Sequence, residues 1–410
     1  MWGAATRSDE LRRNNRSRIL AAVRRKGQMS RTDISRETGL SAATVSAITS
    51  DLIAENVLIG PARGDVAANG RGRPKVDLGL NPRAGIVGAM SFQLNAISAA
   101  IVDYAGVPLA DSALTIDTQR ASAAMLRKAL ARCMRDALAS AGTPHARLRG
   151  IVIGIQGIAD IDGTKLIWSP VMKERNLPVR SWLEAEFDVP VRIANECDLI
   201  ARALNWGDPE TFANDFAAIL VAHGVGMGFF RRGGPVNGSH TSGTEFGHMV
   251  YRPDGALCRC GARGCIEAYA ADYGIKRRAS RLPETSAPSN SVSAQEIEAI
   301  VAAALAGDAD AHAAIEEAGR AIGTGLANLY ALTDPFPVAL IGSATITRQL
   351  LEPAIRASIS QSAVVRNAMP SRKRPGIVLH FIPNDAPLVR QGCVMRALLA
   401  LDDQFADPPS

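Results

Sequence analysis

No apolar run in the 410 residues approaches the roughly 18 that a membrane-spanning helix needs. The N-terminal stretch MWGAATRSDELRRNNRSR also has none of the apolar length that marks a secretory signal. A soluble, cytoplasmic protein with no membrane partner is expected. Cysteine is scarce, at six residues, and three of these, Cys133, Cys197 and Cys393, stand far apart and read as core positions. Stable disulfides are not expected in that compartment, so the remaining three cysteines need another explanation. Most of the chain lacks any charge imbalance. Residues 1–80 hold 14 Lys and Arg against 8 Asp and Glu, which accounts for the whole net charge of +6, and the remainder balances at 32 against 32. A basic segment on an otherwise neutral chain fits polyanion binding, although a solubilising arm carries the same charge.

The other three cysteines fall in GTEFGHMVYRPDGALCRCGARGCIE, from Gly243 to Glu267. Nine residues separate His248 from Cys258, one separates Cys258 from Cys260, and four separate Cys260 from Cys265. Thiolates this close repel one another unless a cation neutralises them, and zinc favours tetrahedral sulfur and nitrogen donors. A redox pair plus a spare thiol is the competing reading. Gly255, Gly261 and Gly264 supply tight turns between the four donors. Glu245 and Glu267 bracket the cluster without being needed to complete it. Either they are solvated loop charges, or the fixed loop fixes them as acceptors for sugar hydroxyls.

A Glu-x-Gly-His element followed by Cys-x-Cys-Gly-x-x-Gly-Cys-x-Glu resembles the signature of the ROK family, whose name stands for repressor, open reading frame and kinase. Glu245, Gly247, His248, Cys258, Cys260, Gly261, Gly264, Cys265 and Glu267 meet it. The resemblance implies structural zinc held by His248, Cys258, Cys260 and Cys265, with Glu245, His248 and Glu267 against a sugar. It also implies an α/β chain with a two-lobed, actin-like sugar-kinase fold of the ribonuclease H-like kind.

The basic segment has its own pattern. Asn15 to Lys26 places Ile19, Leu20 and Val23 on one helical face. Ser30, with Asp33 three residues on, opens a short helix through Thr38; Gly39 and Leu40 turn the chain, and Ser41 opens a second helix to about Glu55. Strands over 57–59 and 76–80 complete a winged helix-turn-helix. This segment resembles the N-terminal domain of ROK repressors, which the family's kinases lack. The second helix presents Ser41, Ala42, Ala43, Thr44, Ser46, Ala47, Thr49 and Ser50, with no Arg, Lys, Asn or Gln for bidentate base readout. Small residues there, together with Arg31, are expected to approach the DNA closely. Arg71, Arg73 and Lys75 on the Gly-rich loop are expected to enter an A·T-rich minor groove, the alternative being a linker that touches phosphates.

Further along, strands are expected over 85–90 and 96–102, a helix over 121–139 and a buried strand over 150–157. The phosphate loop of ROK kinases falls on Ser91, Phe92, Gln93, Leu94 and Asn95, which retain none of its fixed residues. The glycines that let backbone amides approach phosphate are absent. In the kinases an Asn-Asp pair supplies the base; here Asn195 matches and Glu196 replaces the aspartate, unless Asn195 merely caps a helix. The family's asparagine and tryptophan beside the sugar are replaced in the run from Ser169 to Arg175. Gly224, Gly226 and Gly228 resemble a second phosphate loop, although a hairpin crowded by another backbone gives the same alternation.

The expected organisation is a winged helix-turn-helix over 1–80, a first lobe over 81–204 completed by a helix over 386–404, and a second lobe over 205–385. The expected protein is a non-catalytic regulator, a repressor of carbohydrate-utilisation genes. Its partners would be a double-stranded DNA operator and a sugar or sugar-derivative effector bound by Asn195, Glu196, Glu245, His248 and Glu267. One such module reads a half-site, so a homodimer or homotetramer is expected. The alternatives are a bifunctional ATP-dependent sugar kinase and a constitutive DNA-binding protein with a decayed pocket.

Overall fold

The computed structural model describes residues 3–60, 77–241, 243–368 and 377–407. The chain divides into two compact units, Met1–Ile153 with Val179–Arg192 and Cys393–Ser410, and Gly154–Pro178 with Ile193–Gly392. The DNA-binding segment thus groups with the first sheet. Residues 154–178 and 193–204, expected in the first lobe, group with the second unit.

Helix α1 (Gly3–Lys26) runs twelve residues further toward the N-terminus than the apolar spacing suggested, because residues 9–14 are exposed and carry no apolar stripe to announce it. Strand β1 (Met29–Ser30), helices α2 (Arg31–Thr38) and α3 (Ala42–Ala54), and strands β2 (Leu58–Ile59) and β3 (Asp77–Leu80) follow. Both caps form as the sequence implies. Ser30 accepts from the Asp33 N–H at 3.2 Å and its hydroxyl donates to Asp33 at 2.7 Å, while Ser41 accepts from the Thr44 N–H at 3.1 Å. Ile19, Leu20, Val23, Ile34, Val45, Ile48 and Leu52 close a core among the three helices. The wing is a small sheet ordered β1-β3-β2, in which β1 exists only by pairing with Leu78 and Asp77.

Strands β4 (Ile86–Gln93), β5 (Ala96–Asp103) and β6 (Pro108–Thr115) form an antiparallel meander covered by α4 (Ala123–Ser140). Leu126, Leu130, Cys133, Met134, Ala137 and Leu138 make the buried stripe of α4, as the helical period requires. Strand β7 (Leu148–Ile155) is followed by the hairpin β8 (Ile158–Ala159) and β9 (Leu166–Trp168), helix α5 (Val179–Phe187), strand β10 (Val191–Asn195) and helix α6 (Glu196–Gly207). The first large sheet is ordered β10-β7-β4-β5-β6.

Strands β11 (Phe216–Val221), β12 (Val225–Arg231) and β13 (Gly234–Pro235) open the second large sheet. Helices α7 (Glu267–Ala270), α8 (Asp272–Ala279), α9 (Ala294–Leu305) and α10 (Ala309–Thr333) precede strand β14 (Val338–Gly342). Helices α11 (Arg348–Ser360) and α12 (Ala363–Ala368), strand β15 (Leu379–Ile382) and helix α13 (Ala386–Ala406) complete the chain. The sheet is ordered β13-β12-β11-β14-β15, antiparallel at β11–β12 and parallel from β11 through β14 to β15. Its strands β11 and β14 are buried almost throughout, as a sheet covered on both faces requires.

Candidate ligand pocket, metal centre and DNA-binding surface

The loop from Val250 to Cys265 folds back on itself through bridges at Val250–Cys265 and Leu257–Arg263. Gly264 makes the return possible. Its φ is +84°, and a Cβ there would lie 1.8 Å from the Arg252 carbonyl oxygen. The result brings one donor atom each from His248, Cys258, Cys260 and Cys265 within 4.8 Å of one another. Cys258 Sγ lies 3.8 Å from His248 Nδ1, and Cys260 Sγ lies 3.8 Å from Cys265 Sγ. Tetrahedral coordination with metal–sulfur bonds of about 2.3 Å needs edges of roughly 3.8 Å, so the donor set fits one metal ion.

His248 belongs to this cluster through Nδ1 only. Its Nε2 lies 3.8 Å from Glu245 Oε2, and its ring meets the Trp168 edge at 5.9 Å between centroids. Burial, and to a smaller extent the nearby Glu267 charge, raise the Glu245 pKa, while His248 opposes the rise. Glu267, only 3% exposed, accepts from the Val225 N–H at 3.2 Å and from the Tyr273 hydroxyl at 3.3 Å, and its Oε1 lies 3.4 Å from Cys258 Sγ. One carboxylate therefore braces the metal loop, helix α7 and the start of β12.

A cavity with an open volume of about 490 Å³ adjoins this loop. Asn195, Glu196, Glu245, His248 and Glu267 all line it, so the five residues singled out as sugar contacts come together in one place. Gln156, Gly157, Trp168, Pro170 and Cys197 line it as well. Trp168 was missed because the altered run was taken to begin at Ser169; it ends β9, one residue earlier. Cys197, read as core, is buried yet borders the cavity. Asn195 is also a helix cap. Its Oδ1 accepts from the Cys197 N–H at 2.7 Å and its Nδ2 donates to the Gly157 carbonyl at 2.8 Å.

The two stretches compared with phosphate loops have other structural reasons. Strand β4 continues through Ser91, Phe92 and Gln93, which pair with Ser98, Ile97 and Ala96, and the hairpin closes on Leu94 and Asn95 alone. Asn95 takes φ +56°, as a tight hairpin requires. On β12, a Cβ at Gly226 would lie 2.5 Å from Cys197 Sγ, and one at Gly228 would lie 2.1 Å from the Cys197 carbonyl oxygen. The alternating glycines admit α6 against the strand, which is the crowding that this pattern also signals.

On the DNA-binding segment, Ser41, Ala42, Ala43, Ser46, Ala47 and Ser50 are exposed and Thr44 is half-buried. Thr49 is not on that face. It is fully buried, donates to the Val45 carbonyl at 2.7 Å and accepts from Arg31 Nε at 2.9 Å. Arg31 is thereby fixed beside α3 and half-buried. Arg71, Arg73 and Lys75 lie outside the described residues.

A helix-turn-helix with a wing, followed by two five-stranded α/β sheets and a carboxylate-lined cavity, defines a DNA-binding protein built on a sugar-kinase-like scaffold. The ROK family profile matches residues 94–375, and a winged helix-turn-helix DNA-binding profile matches residues 12–59. The chain belongs to the ROK family, in its regulator branch. It is 24% identical over 360 residues to the xylose repressor of Caldicellulosiruptor bescii, covering 87% of this chain and 89% of that one. It is 25% identical over 359 residues to the N-acetylglucosamine repressor of Shigella flexneri, covering 87% of each. A ROK family transcriptional regulator described as a homologue of the E. coli MLC protein superposes with a TM-score of 0.77 at 23% identity, over 97% of this chain and 99% of that one. A ROK family glucokinase from Streptomyces griseus superposes with a TM-score of 0.57 at 22% identity, over 76% of this chain and 99% of that one, and confirms the kinase-like fold. No helix among the described residues is long and apolar enough to cross a membrane.

Proposed function

We propose that this chain is a transcriptional repressor of carbohydrate-utilisation genes that senses a sugar without phosphorylating it. The observation that carries the reading is the convergence of Asn195, Glu196, Glu245, His248 and Glu267 on one cavity in a chain that also bears a capped helix-turn-helix. Carboxylates and an amide are the acceptors and donors that sugar hydroxyls need, and Trp168 adds an apolar edge. Zinc held by His248, Cys258, Cys260 and Cys265 would act structurally, fixing the loop from which Glu245 and Glu267 reach the cavity. Ser41, Ala42, Ala43, Thr44 and Ser46 would meet the operator's major groove, with Arg31 beside them and Arg71, Arg73 and Lys75 in the adjoining minor groove. A homodimer or homotetramer in the cytoplasm would supply paired half-sites. The organisation proposed is a DNA-binding domain over 1–80, a first lobe over 81–204 with 386–404 and a second lobe over 205–385, and it departs from the compact units at 154–178 and 193–204.

A kinase reading has one observation in its favour, the placement of Glu196 in the cavity next to Asn195. Against it stands the β4–β5 turn, where the run from Ser91 to Asn95 carries no glycine to let phosphate approach the backbone amides. A thermal-shift panel of free sugars, amino sugars, sugar phosphates and ATP on zinc-loaded protein separates the readings. A sensor is stabilised by a sugar and indifferent to ATP with magnesium. Stabilisation and turnover with ATP support the kinase, and silence across the panel supports a decayed pocket.

A further inference from the structure

Helices α2 and α3 carry two basic side chains between them, Arg31 and Arg36. Arg36 is paired within its own helix, donating from Nη2 to Asp33 Oδ1 at 2.7 Å. Arg31 is held differently. It follows the N-cap Ser30 as the first residue of α2, and its partner is a hydroxyl rather than a carboxylate: Nε donates to Thr49 Oγ1 of α3 at 2.9 Å. That partner leaves the guanidinium charge unneutralised and the four N–H groups of Nη1 and Nη2 unengaged by it. Arg31 itself is half-buried, while Thr49 is fully buried at 0% exposure.

The Thr49 hydroxyl has a fixed polarity. Its one proton is directed at carbonyls of its own helix, Val45 at 2.7 Å and Ser46 at 3.3 Å, so toward Arg31 it can only accept. Arginine has donors alone, and the two groups match. An arginine tethered at Nε has already lost much of the rotamer freedom that a free surface side chain gives up on binding. Its place on the segment also selects what it meets. Thr49 lies seven residues after Ala42, the first residue of α3, or about 10 Å along the axis at 1.5 Å per residue. In a helix-turn-helix the N-terminal residues of the second helix reach base edges, whereas the first helix crosses the sugar-phosphate backbone. Arg31, on the first helix and two turns along the second, therefore falls over phosphate.

We propose that Thr49 is a positioning residue, whose buried hydroxyl holds Arg31 by Nε so that Nη1 and Nη2 clamp one backbone phosphate of the operator and fix the register of α3 in the major groove. The proposal rests on the DNA-binding reading and is independent of the sugar. It also accounts for a recognition helix with no Arg, Lys, Asn or Gln of its own. A phosphate clamp beside such a helix sets its position, and the small side chains Ala42, Ala43 and Ala47 then approach the bases closely.

The test titrates the full, zinc-loaded chain against a labelled duplex that it selects from a random pool, and against a shuffled duplex, over about 50–300 mM salt. Arg31→Ala should weaken both duplexes by the same factor and lower the slope of log affinity against log salt by about 0.9, the value of one phosphate contact. Thr49→Val keeps the volume and removes the hydroxyl. It should weaken binding about threefold to tenfold, the range that ordering one long side chain covers. Thr49→Ser should restore the affinity, and Thr49→Val should add nothing in an Arg31→Ala background, two readouts that a merely structural threonine does not give. If Thr49→Val does not fold, Arg31→Lys replaces it, because a lysine keeps the charge and the salt slope but cannot hold Thr49 and fork onto phosphate together. Wild-type affinity in Thr49→Val or in Arg31→Lys overturns the proposal. So does an equal effect of Thr49→Val with and without Arg31, or an Arg31→Ala chain that keeps its salt slope and loses preference at one base pair. Failure to select any duplex contradicts the DNA-binding reading itself.

Discussion

The Glu267 carboxylate accepts a hydrogen bond from the Val225 backbone N–H at 3.2 Å, across forty-two residues of sequence. It joins the end of the metal loop to the first residue of β12, beneath the cavity that both residues line. Glu267→Gln retains an acceptor for that N–H, so its stability should stay within about 1 kcal/mol of the wild type while sugar binding weakens about tenfold. Glu267→Ala leaves a buried N–H unpaired and should cost roughly 1–3 kcal/mol in urea denaturation. Equal stability losses in the two variants would show that the hydrogen bond is not what the residue supplies.

Removal of the metal should act through the same brace. A chelator, or Cys265→Ser, is expected to lower the thermal midpoint by several degrees and abolish sugar-induced stabilisation, because folding of the loop and metal binding are linked. Zinc should restore both and magnesium neither. Metal analysis of the purified chain should find one zinc per chain, and a chain that binds sugar equally well after chelation would refute the structural role.

Gly228 marks the place where α6 approaches β12, with the Cys197 carbonyl oxygen 2.1 Å from where a Cβ would sit. Gly228→Ala must push helix and strand apart, at a cost of about 1–3 kcal/mol or more. Because Asn195 and Glu196 open that helix, the variant should also lose sugar binding beyond what its stability loss explains. Binding measured well below the variant's unfolding temperature checks this, and unchanged affinity would mean that the α6 position does not matter.

Burial, assisted by the charge of nearby Arg259, lowers the His223 pKa to about 3. In the unfolded chain the value is about 6.5. Between the two values only the unfolded chain takes up the proton, so the contribution of His223 is complete above about pH 6.5 and declines as pH falls toward 3. His223→Asn should therefore lose less stability than the wild type between pH 7 and pH 5. Parallel pH profiles for the two proteins would count against this.

Much of the DNA-binding segment was legible because helix caps are local chemistry. Ser30 and Ser41 need only the amides three residues on, and Gly39 takes φ +67° to end α2. The metal cluster was legible for the same reason, its donors lying within eighteen residues of one another in sequence. What the sequence hid depends on partners far away. Thr49 has the polarity of an exposed residue, yet Arg31 accounts for its burial. Strand β6 alternates weakly, with exposed and half-buried residues at an edge, and so it shows no clear apolar period. The buried Arg16 and Arg24 look like surface charges until Phe405 and Asp402, nearly four hundred residues away, are placed beside them.

The most direct test of the account is fluorescence anisotropy of a labelled, self-selected duplex, titrated with the zinc-loaded chain with and without each sugar, sugar phosphate and ATP. The account predicts that at least one sugar shifts DNA affinity fivefold or more, that ATP with magnesium shifts it not at all, and that the sugar is recovered unphosphorylated. DNA affinity indifferent to every sugar, or a sugar recovered as its phosphate, would contradict it.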